Sequence, residues 1–134
     1  MSFVVDASIL AAWLLDEQSD PRVESAFDTV ARIETRAPTL LHYEVRNALL
    51  MSERRRRITE AMTAAFLRDL ALLPIRLEPP ADDASLLTLA RERKLTVYDA
   101  AYLELARRER LPLATLDREL ERAAIAEGVA LFGP

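Results

Sequence analysis

Four carboxylates of this sequence stand beside apolar segments rather than among other surface charges: Asp6, Glu44, Asp99 and Asp117. Asp6 directly follows the run Phe3-Val4-Val5, and Asp117 follows the run from Leu113 to Leu116. Runs of this kind predict buried strands, and ligands of open α/β sheets bind at the carboxyl ends of the strands. If the strands are parallel, the four acids converge on one edge of a sheet.

Carboxylates that converge need a positive partner. Like charges at one site raise the pKa of one another, so the natural compensation is a divalent cation with oxygen ligands, Mg²⁺ or Mn²⁺. The sequence has no cysteine and one histidine, His42, which argues against zinc. A cation held by acids polarises a phosphate and lowers the pKa of water. The expected reaction is hydrolysis of a phosphodiester, because neither a cysteine nor a well-placed histidine offers a protein nucleophile.

Two of the four acids also have an ordinary structural explanation. Asp117 precedes a predicted helix and fits an N-cap, and Asp99 completes a capping box that begins at Thr96. Asp6 and Glu44 do not fit this explanation, because one ends a buried run and the other lies deep inside a helix. A carboxylate beside buried surface is penalised by desolvation unless something compensates it. Asp6 and Glu44 therefore carry the case for a functional site.

Other kinds of chemistry fit the sequence less well. His42 lies two positions from Glu44 and leaves a helix in a different direction, and the chain has neither a Gly-x-Ser-x-Gly elbow nor a phosphate-binding P-loop. An aspartyl phosphatase or phosphotransferase of the haloacid-dehalogenase type needs a second Asp where this chain has Ser8. A non-catalytic interaction module, in which the acids are only caps, stays open and predicts that divalent cations have no effect.

Length and charge narrow the class of protein. With 134 residues, 51% apolar residues and two glycines, the chain is expected to form a single compact domain over residues 1–134. The net charge of −4 argues against broad affinity for nucleic acid, although the arginines are locally clustered. The absence of cysteine, of a signal peptide and of a membrane-spanning run predicts a cytoplasmic protein.

The predicted strands and helices would place the acids at one sheet edge. Strands are predicted at residues 3–5, 36–38, 75–77, 113–115 and 129–132, and helices at 8–14, 21–31, 40–56, 59–73, 82–93, 96–110 and 117–127. The apolar residues expected to face the core include Trp13, Leu14, Phe27, Ala31 and Met62. Short apolar strands that alternate with helices are typical of a parallel sheet covered on both faces.

Four motifs make the chain resemble the PIN-domain family, and within it the VapC toxins of bacterial and archaeal toxin–antitoxin systems. The motifs are Val5-Asp6-Ala7-Ser8, the segment Glu44 to Leu49, the segment Tyr98 to Tyr102, and Ala114-Thr115-Leu116-Asp117. The resemblance covers nearly the whole chain. It implies a three-layer α/β/α sandwich with a central parallel sheet of about four to five strands, and Mg²⁺- or Mn²⁺-dependent endoribonuclease activity.

The resemblance also implies roles for residues and for partners. Asp6, Glu44, Asp99 and Asp117 match the acidic metal site, and Ser8, Asn47 and Thr115 match polar positions that support or border it. The implied partners are an RNA substrate, a small VapB-like antitoxin and a second copy of the chain in a homodimer. The run Arg54, Arg55, Arg56 and Arg57 fits contact with RNA or an acidic partner, and equally fits a solvated helix end.

Overall fold

The computed structural model describes residues 2–15, 20–30 and 32–133. Within them, one parallel sheet contains β1 (Val4–Val5), β2 (Thr35–Pro38), β3 (Ile75–Glu78) and β4 (Leu113–Ala114). The strand order is β3-β2-β1-β4. The apolar strand β1 therefore lies inside the sheet, where Val4 pairs with Arg36 on one side and with Leu113 on the other.

The helices of the described chain are α1 (Ala7–Leu15), α2 (Pro21–Val30), α3 (Leu40–Arg54), α4 (Glu60–Ala71), α5 (Asp83–Arg93), α6 (Val97–Glu109) and α7 (Arg118–Ala126). Thr59, Thr96 and Asp117 accept hydrogen bonds from the backbone N–H three residues later, at 3.2, 3.1 and 3.0 Å, and so begin α4, α6 and α7. None of the helices in these ranges is long and apolar enough to cross a membrane.

The helices pack as two groups with the sheet between them. Helices α1 to α4 contact one another, and helices α5 to α7 contact one another. The chain crosses from β1 to β2 and from β2 to β3 in one direction, and then crosses back from β3 to β4. Because connections between parallel strands are right-handed, this reversal places the two groups of helices on opposite faces of the sheet. The core between these layers includes Phe3, Val4 and Val5, which have no exposed surface. The predicted α/β/α architecture is confirmed.

Three details of the predicted elements are wrong. Residues 129–132 form one bridge, between Leu113 and Leu131, rather than a strand, because the chain leaves α7 through a turn and lies beside β4 for only this step. Helix α3 ends at Arg54, since the backbone of Arg56 turns left-handed at a φ of 59°. Met62 is 50% exposed, so the buried face of α4 centres on Phe66, which is 7% exposed, and does not extend to Met62.

The aromatic residues of the first helices behave as core residues. The Trp13 ring stacks on Phe27 at a centroid distance of 3.8 Å and contacts Phe66 at 5.1 Å. The expectations for the Leu14 side chain and for Ala31 lie outside the described residues. Trp13 therefore joins α1, α2 and α4, as its apolar spacing predicted.

Candidate active site

Asp6 lies where β1 ends and is 4% exposed. Its backbone N–H donates to the Ala114 carbonyl at 3.1 Å, which extends the pairing of β1 with β4 by one step. Its Oδ1 accepts from the Ser8 N–H at 3.0 Å, from the Ser8 hydroxyl at 2.5 Å and from the Ile9 N–H at 3.3 Å. The carboxylate thus caps the first turn of α1 while it is buried at the carboxyl edge of the sheet.

Two hydroxyl groups connect the ends of β1 and β4, and we call Ser8 and Thr115 the hydroxyl pair. The Thr115 hydroxyl donates to Asp6 Oδ2 and accepts from the Asp117 N–H at 3.0 Å. The Ser8 hydroxyl, which donates to the other oxygen of Asp6, accepts from the Leu116 N–H at 2.9 Å. Each hydroxyl therefore links the Asp6 carboxylate to the backbone that leads into α7, which fixes Asp117 relative to Asp6.

Burial raises the pKa of Asp6 from 3.8 to about 6, although the hydrogen bonds from Ser8, Thr115 and the Ile9 backbone lower it. Desolvation therefore outweighs the hydrogen bonds that favour the charged form. Near neutral pH the carboxylate is mostly ionised, but the protein holds that charge at an energetic cost. A cation beside Asp6 would reverse this cost.

Glu44 points from α3 toward α6, where the buried Tyr102 hydroxyl donates to its Oε1 at 2.6 Å. Burial raises the pKa of Glu44, the bond from Tyr102 lowers it, and the negative charge of Asp99 raises it further. The pKa of Tyr102 is also raised, by burial, by its bond to Glu44 and by the negative charges of Glu44 and Asp6. Tyr102 therefore remains a proton donor and joins the surroundings of Asp6 to those of Glu44.

Asp99 and Asp117 lie in the first turns of α6 and α7. The predicted cap of α6 is made by the Thr96 hydroxyl, which accepts from the Asp99 N–H at 3.1 Å. The Asp99 carboxylate has a raised pKa, chiefly because of burial and then because of the negative charge of Asp117, while the Thr96 hydroxyl lowers it. Asp117 does cap α7, since its Oδ1 accepts from the Leu120 N–H at 3.0 Å.

Three of the four predicted acids influence one another electrostatically, whereas two other groups of predicted residues lie apart. Asp117 raises the pKa of Asp99, and Asp99 raises that of Glu44. Asn47 is exposed, and its side chain makes no hydrogen bond within the described residues. The four arginines from Arg54 onward are exposed and lie beyond the far end of α3, roughly 15 Å or more along the helix from Glu44.

Tyr102 belongs to this site although the sequence did not place it among the candidate site residues. Its ring is indeed buried, with 2% exposure, but its hydroxyl is bonded to Glu44. The signal was its spacing, because Tyr102 follows Asp99 by three positions and shares a helical face with it. A buried tyrosine hydroxyl requires a polar partner, and the acids on the neighbouring elements were the available ones.

The donor chemistry of this site fits Mg²⁺ or Mn²⁺, but the ligands are not preassembled. The acids supply only oxygen, and three of them have raised pKa values that a cation would oppose. In residues 2–15, 20–30 and 32–133, however, no three Asp, Glu, His or Cys side chains form a group ready to hold a metal ion. Both oxygens of Asp6 and one of Glu44 accept bonds from protein hydroxyls, and each of these oxygens keeps a second lone pair with which it could bind a metal ion.

The fold and the acids define the class of the protein as an α/β/α protein with carboxylates at the carboxyl edge of a parallel sheet. The family model of the PIN domain matches residues 3–126. The chain therefore belongs to the PIN-domain family. It is 35% identical over 125 residues to Ribonuclease VapC3 of Pyrobaculum aerophilum, and the aligned region covers 90% of this chain and 92% of the relative. Exonuclease VapC9 of the same organism is 39% identical over 79 residues, 58% of each chain.

Two solved structures are similar in fold. The crystal structure of PAE2754 from Pyrobaculum aerophilum has a TM-score of 0.73 at 27% identity and covers 92% of this chain and 84% of its own. The structure of Mycobacterium tuberculosis VapC20, described as a toxin that cleaves the sarcin-ricin loop, has a TM-score of 0.64 at 20% identity and covers 98% and 99%. At that identity the second match supports the shared fold alone.

Proposed function

We propose that this chain is a metal-dependent endoribonuclease and the toxin of a VapB–VapC-like toxin–antitoxin system, which hydrolyses RNA phosphodiesters with an activated water. The observation that carries the proposal is the set of acids at the carboxyl edge of the sheet, in which Asp6 is buried, Asp99 raises the pKa of Glu44, and Asp117 raises the pKa of Asp99. The 35% identity to a chain named a ribonuclease, over nine tenths of this one, supports RNA as the substrate.

The proposed metal ligands are Asp6, Glu44, Asp99 and Asp117, and the proposed cofactor is Mg²⁺ or Mn²⁺. A bound divalent cation supplies positive charge beside the phosphate and makes water a stronger acid. The hydroxyl pair holds Asp6 at the sheet edge, and Tyr102 holds Glu44 through its 2.6 Å hydrogen bond. Asp117, fixed as the cap of α7, keeps its second oxygen free of the capping bond.

The proposed partners follow from the relatives that share the VapC name. We assign a small VapB-like antitoxin as the inhibitor, a homodimer as the assembly, and the cytoplasm as the compartment in which RNA is met. Asn47 would border the site from α3 only if bound RNA or metal reorients it, since it is exposed and unbonded. The exposed arginines from Arg54 to Arg57 would contact RNA or the antitoxin at a distance from the acids.

The test is cleavage of structured RNAs by purified protein with Mg²⁺, with Mn²⁺ and with a chelator. We expect cleavage with metal, none with chelator, and none from Asp6→Asn under any condition. Asp82→Asn is the matched control, because Asp82 is an exposed cap of α5 with the same side chain and lies outside the acid group. Metal-independent cleavage, or full activity of Asp6→Asn, would contradict the proposal.

A second candidate is exonuclease activity, which the name of the partial relative VapC9 favours. A circular RNA separates the two activities, because it has no end for an exonuclease to attack. We expect the circle to be opened to a unit-length linear product that appears before shorter fragments. An intact circle beside a linear RNA shortened from one end would replace the endonuclease by an exonuclease.

A further inference from the structure

A small apolar pocket of about 210 Å³ lies beside the acids and is not used by the proposed mechanism. It opens at the carboxyl ends of β2 and β3 and between the first turns of α3 and α6. The residues that define its walls are mainly apolar: Leu40, Pro79, Pro80, Val97, Tyr98 and Leu105. Tyr98 forms part of the wall although its side chain is 65% exposed, so one side of its ring faces open space.

The pocket adjoins the segments of α3 and α6 that carry two of the acids, although none of the four acids is among the residues that line it. Tyr98 directly precedes Asp99 in α6, and Leu40 lies one helical turn before Glu44 in α3. In the order β3-β2-β1-β4, the pocket lies over β2 and β3, and Asp6 lies at the end of β1. Neighbouring strands are about 4.8 Å apart, which places the pocket roughly 5–10 Å from the acids. That spacing is suitable for adjacent groups of one bound strand.

An ion pair adds polar groups to this apolar pocket. Glu104 is 5% exposed, and Arg108 binds it through two nitrogens, at 3.0 and 3.3 Å. Both residues line the pocket. The guanidinium of Arg108 has further N–H groups that these two bonds do not use. The pocket therefore presents an aromatic face together with hydrogen-bonding groups. Flat aromatic heterocycles with polar edges match this combination, because their faces stack and their edges bond.

We propose that this pocket holds one unpaired nucleobase of the RNA, next to the phosphodiester at the acids, with the base stacked on Tyr98. The inference rests on the proposed function and names a specificity site for it. A protein partner is the less suitable occupant, because a stable protein interface buries about 800 Å² on each side, whereas this pocket of 210 Å³ has room for one ring-sized group. An aliphatic side chain would also offer no acceptor to the N–H groups of Arg108 that its two bonds to Glu104 do not use.

The experiment measures RNA binding without cleavage. The probe is a short single-stranded RNA that carries 2-aminopurine, bound by protein with Asp6→Asn in the presence of Mg²⁺. We expect the fluorescence of the probe to be quenched by stacking when the modified base is next to the phosphodiester that the native chain cuts. In this background Tyr98→Ala should weaken binding roughly 5- to 150-fold and remove the quenching, because one base stacked on an aromatic ring contributes about 1–3 kcal/mol.

Two further variants make the result specific to the ring and its position. Tyr98→Phe should retain both affinity and quenching, because the stacking face is kept. Tyr43→Ala is the matched control, since Tyr43 is also an exposed tyrosine, directly precedes Glu44 and is not part of the pocket wall. It should leave binding unchanged. Tyr98→Leu repeats the loss of the ring while keeping apolar bulk, in case the alanine variant is unstable.

The outcomes separate this inference from the proposed function. If Tyr98→Ala and Tyr98→Leu bind RNA as tightly as the parent, the pocket assignment is overturned, while metal-dependent cleavage by the native chain keeps the function. If those variants change the mass of the oligomer but not RNA affinity, the pocket belongs to a protein interface and the assignment is equally overturned. If the native chain neither binds nor cuts RNA, the proposed function itself fails.

Discussion

Replacing Asp6 by Asn should stabilise the metal-free protein at neutral pH while it abolishes RNA cleavage. The Asn Oδ1 can accept the same three bonds from Ser8 and Ile9. Its Nδ2 group takes the place of Oδ2 and can donate to the Thr115 hydroxyl. In the native chain the direction is the opposite, because the Thr115 hydroxyl donates to Asp6 Oδ2. The variant therefore keeps the shape of the site and removes only the buried charge.

The magnitude follows from the pKa of Asp6. Its rise from 3.8 to about 6 corresponds to roughly 3 kcal/mol of destabilisation once the carboxylate is ionised, since one pH unit is worth about 1.4 kcal/mol. The folded state holds the proton more tightly than the unfolded state, so this penalty is absent below pH 3.8, grows as the pH rises, and is complete above about pH 6. In the variant the hydrogen bond between Thr115 and residue 6 reverses its direction, and this lowers the gain in stability by about 1 kcal/mol at every pH.

Urea unfolding in chelator between pH 4 and pH 8 tests this reasoning. The free energy of unfolding of Asp6→Asn, relative to the parent, should increase by about 2.5 kcal/mol across that range, whatever its absolute value, because roughly 0.5 kcal/mol of the penalty is already present at pH 4. Asp82→Asn should show almost no change across this range, because hydrogen bonds from Ser85 lower the pKa of the exposed Asp82 from 3.8, so that its carboxylate is mostly ionised throughout the range. A difference between Asp6→Asn and the parent that does not vary with pH would refute the buried-charge account.

Three further variants test the other parts of the site and of the fold. Asp99→Asn should abolish cleavage yet leave the metal-free protein at least as stable, because burial and a neighbouring acid raise the pKa of Asp99; unfolding of this variant would mean that its role is structural. Tyr102→Phe removes the hydrogen-bond donor of Glu44, so it should destabilise the protein by about 1–2 kcal/mol. It should also reduce the rise in melting temperature that Mg²⁺ causes. An unchanged response to the metal would mean that Tyr102 does not position Glu44. Glu127→Gln should cost about 1 kcal/mol near pH 7 and less as the pH falls below 4.5, because two arginines lower the pKa of Glu127. The exposed pair of Glu119 should give a smaller effect in Glu119→Gln, measured by the same denaturant titration.

The sequence was sufficient to predict most of the fold because local signals and apolar spacing agree. The capping residues Thr59, Thr96 and Asp117 mark helix starts that the structure confirms. The segment 129–132 was misassigned because apolar residues that follow a helix predict a strand whether one residue or four pair with the sheet. Only Leu131 forms a bridge, and the direction in which the chain leaves the turn after α7 determines this pairing.

The acids were predictable as positions, but their partners were not. Asp6 and Glu44 stood out because carboxylates beside apolar segments are unusual, and burial does raise the pKa of both. The spacing of Tyr102 from Asp99 places its ring on the same face of α6, but spacing does not show which group the hydroxyl at the tip of the ring reaches. Its 2.6 Å bond to Glu44 joins residues 58 positions apart, which only the packing of α3 against α6 determines.

Because one member of the hydroxyl pair lies near the end of the sequence, the site can form only late in synthesis. Asp6 and Thr115 are separated by 109 positions, so a ribosome that has made β1 needs roughly 5–20 s more before Thr115 exists. Until β4 emerges, the nascent chain lacks both the neighbour of β1 on that side and the donor to Asp6 Oδ2. A cell that makes this protein is therefore exposed to an assembled acid site only after almost the whole sequence has been translated.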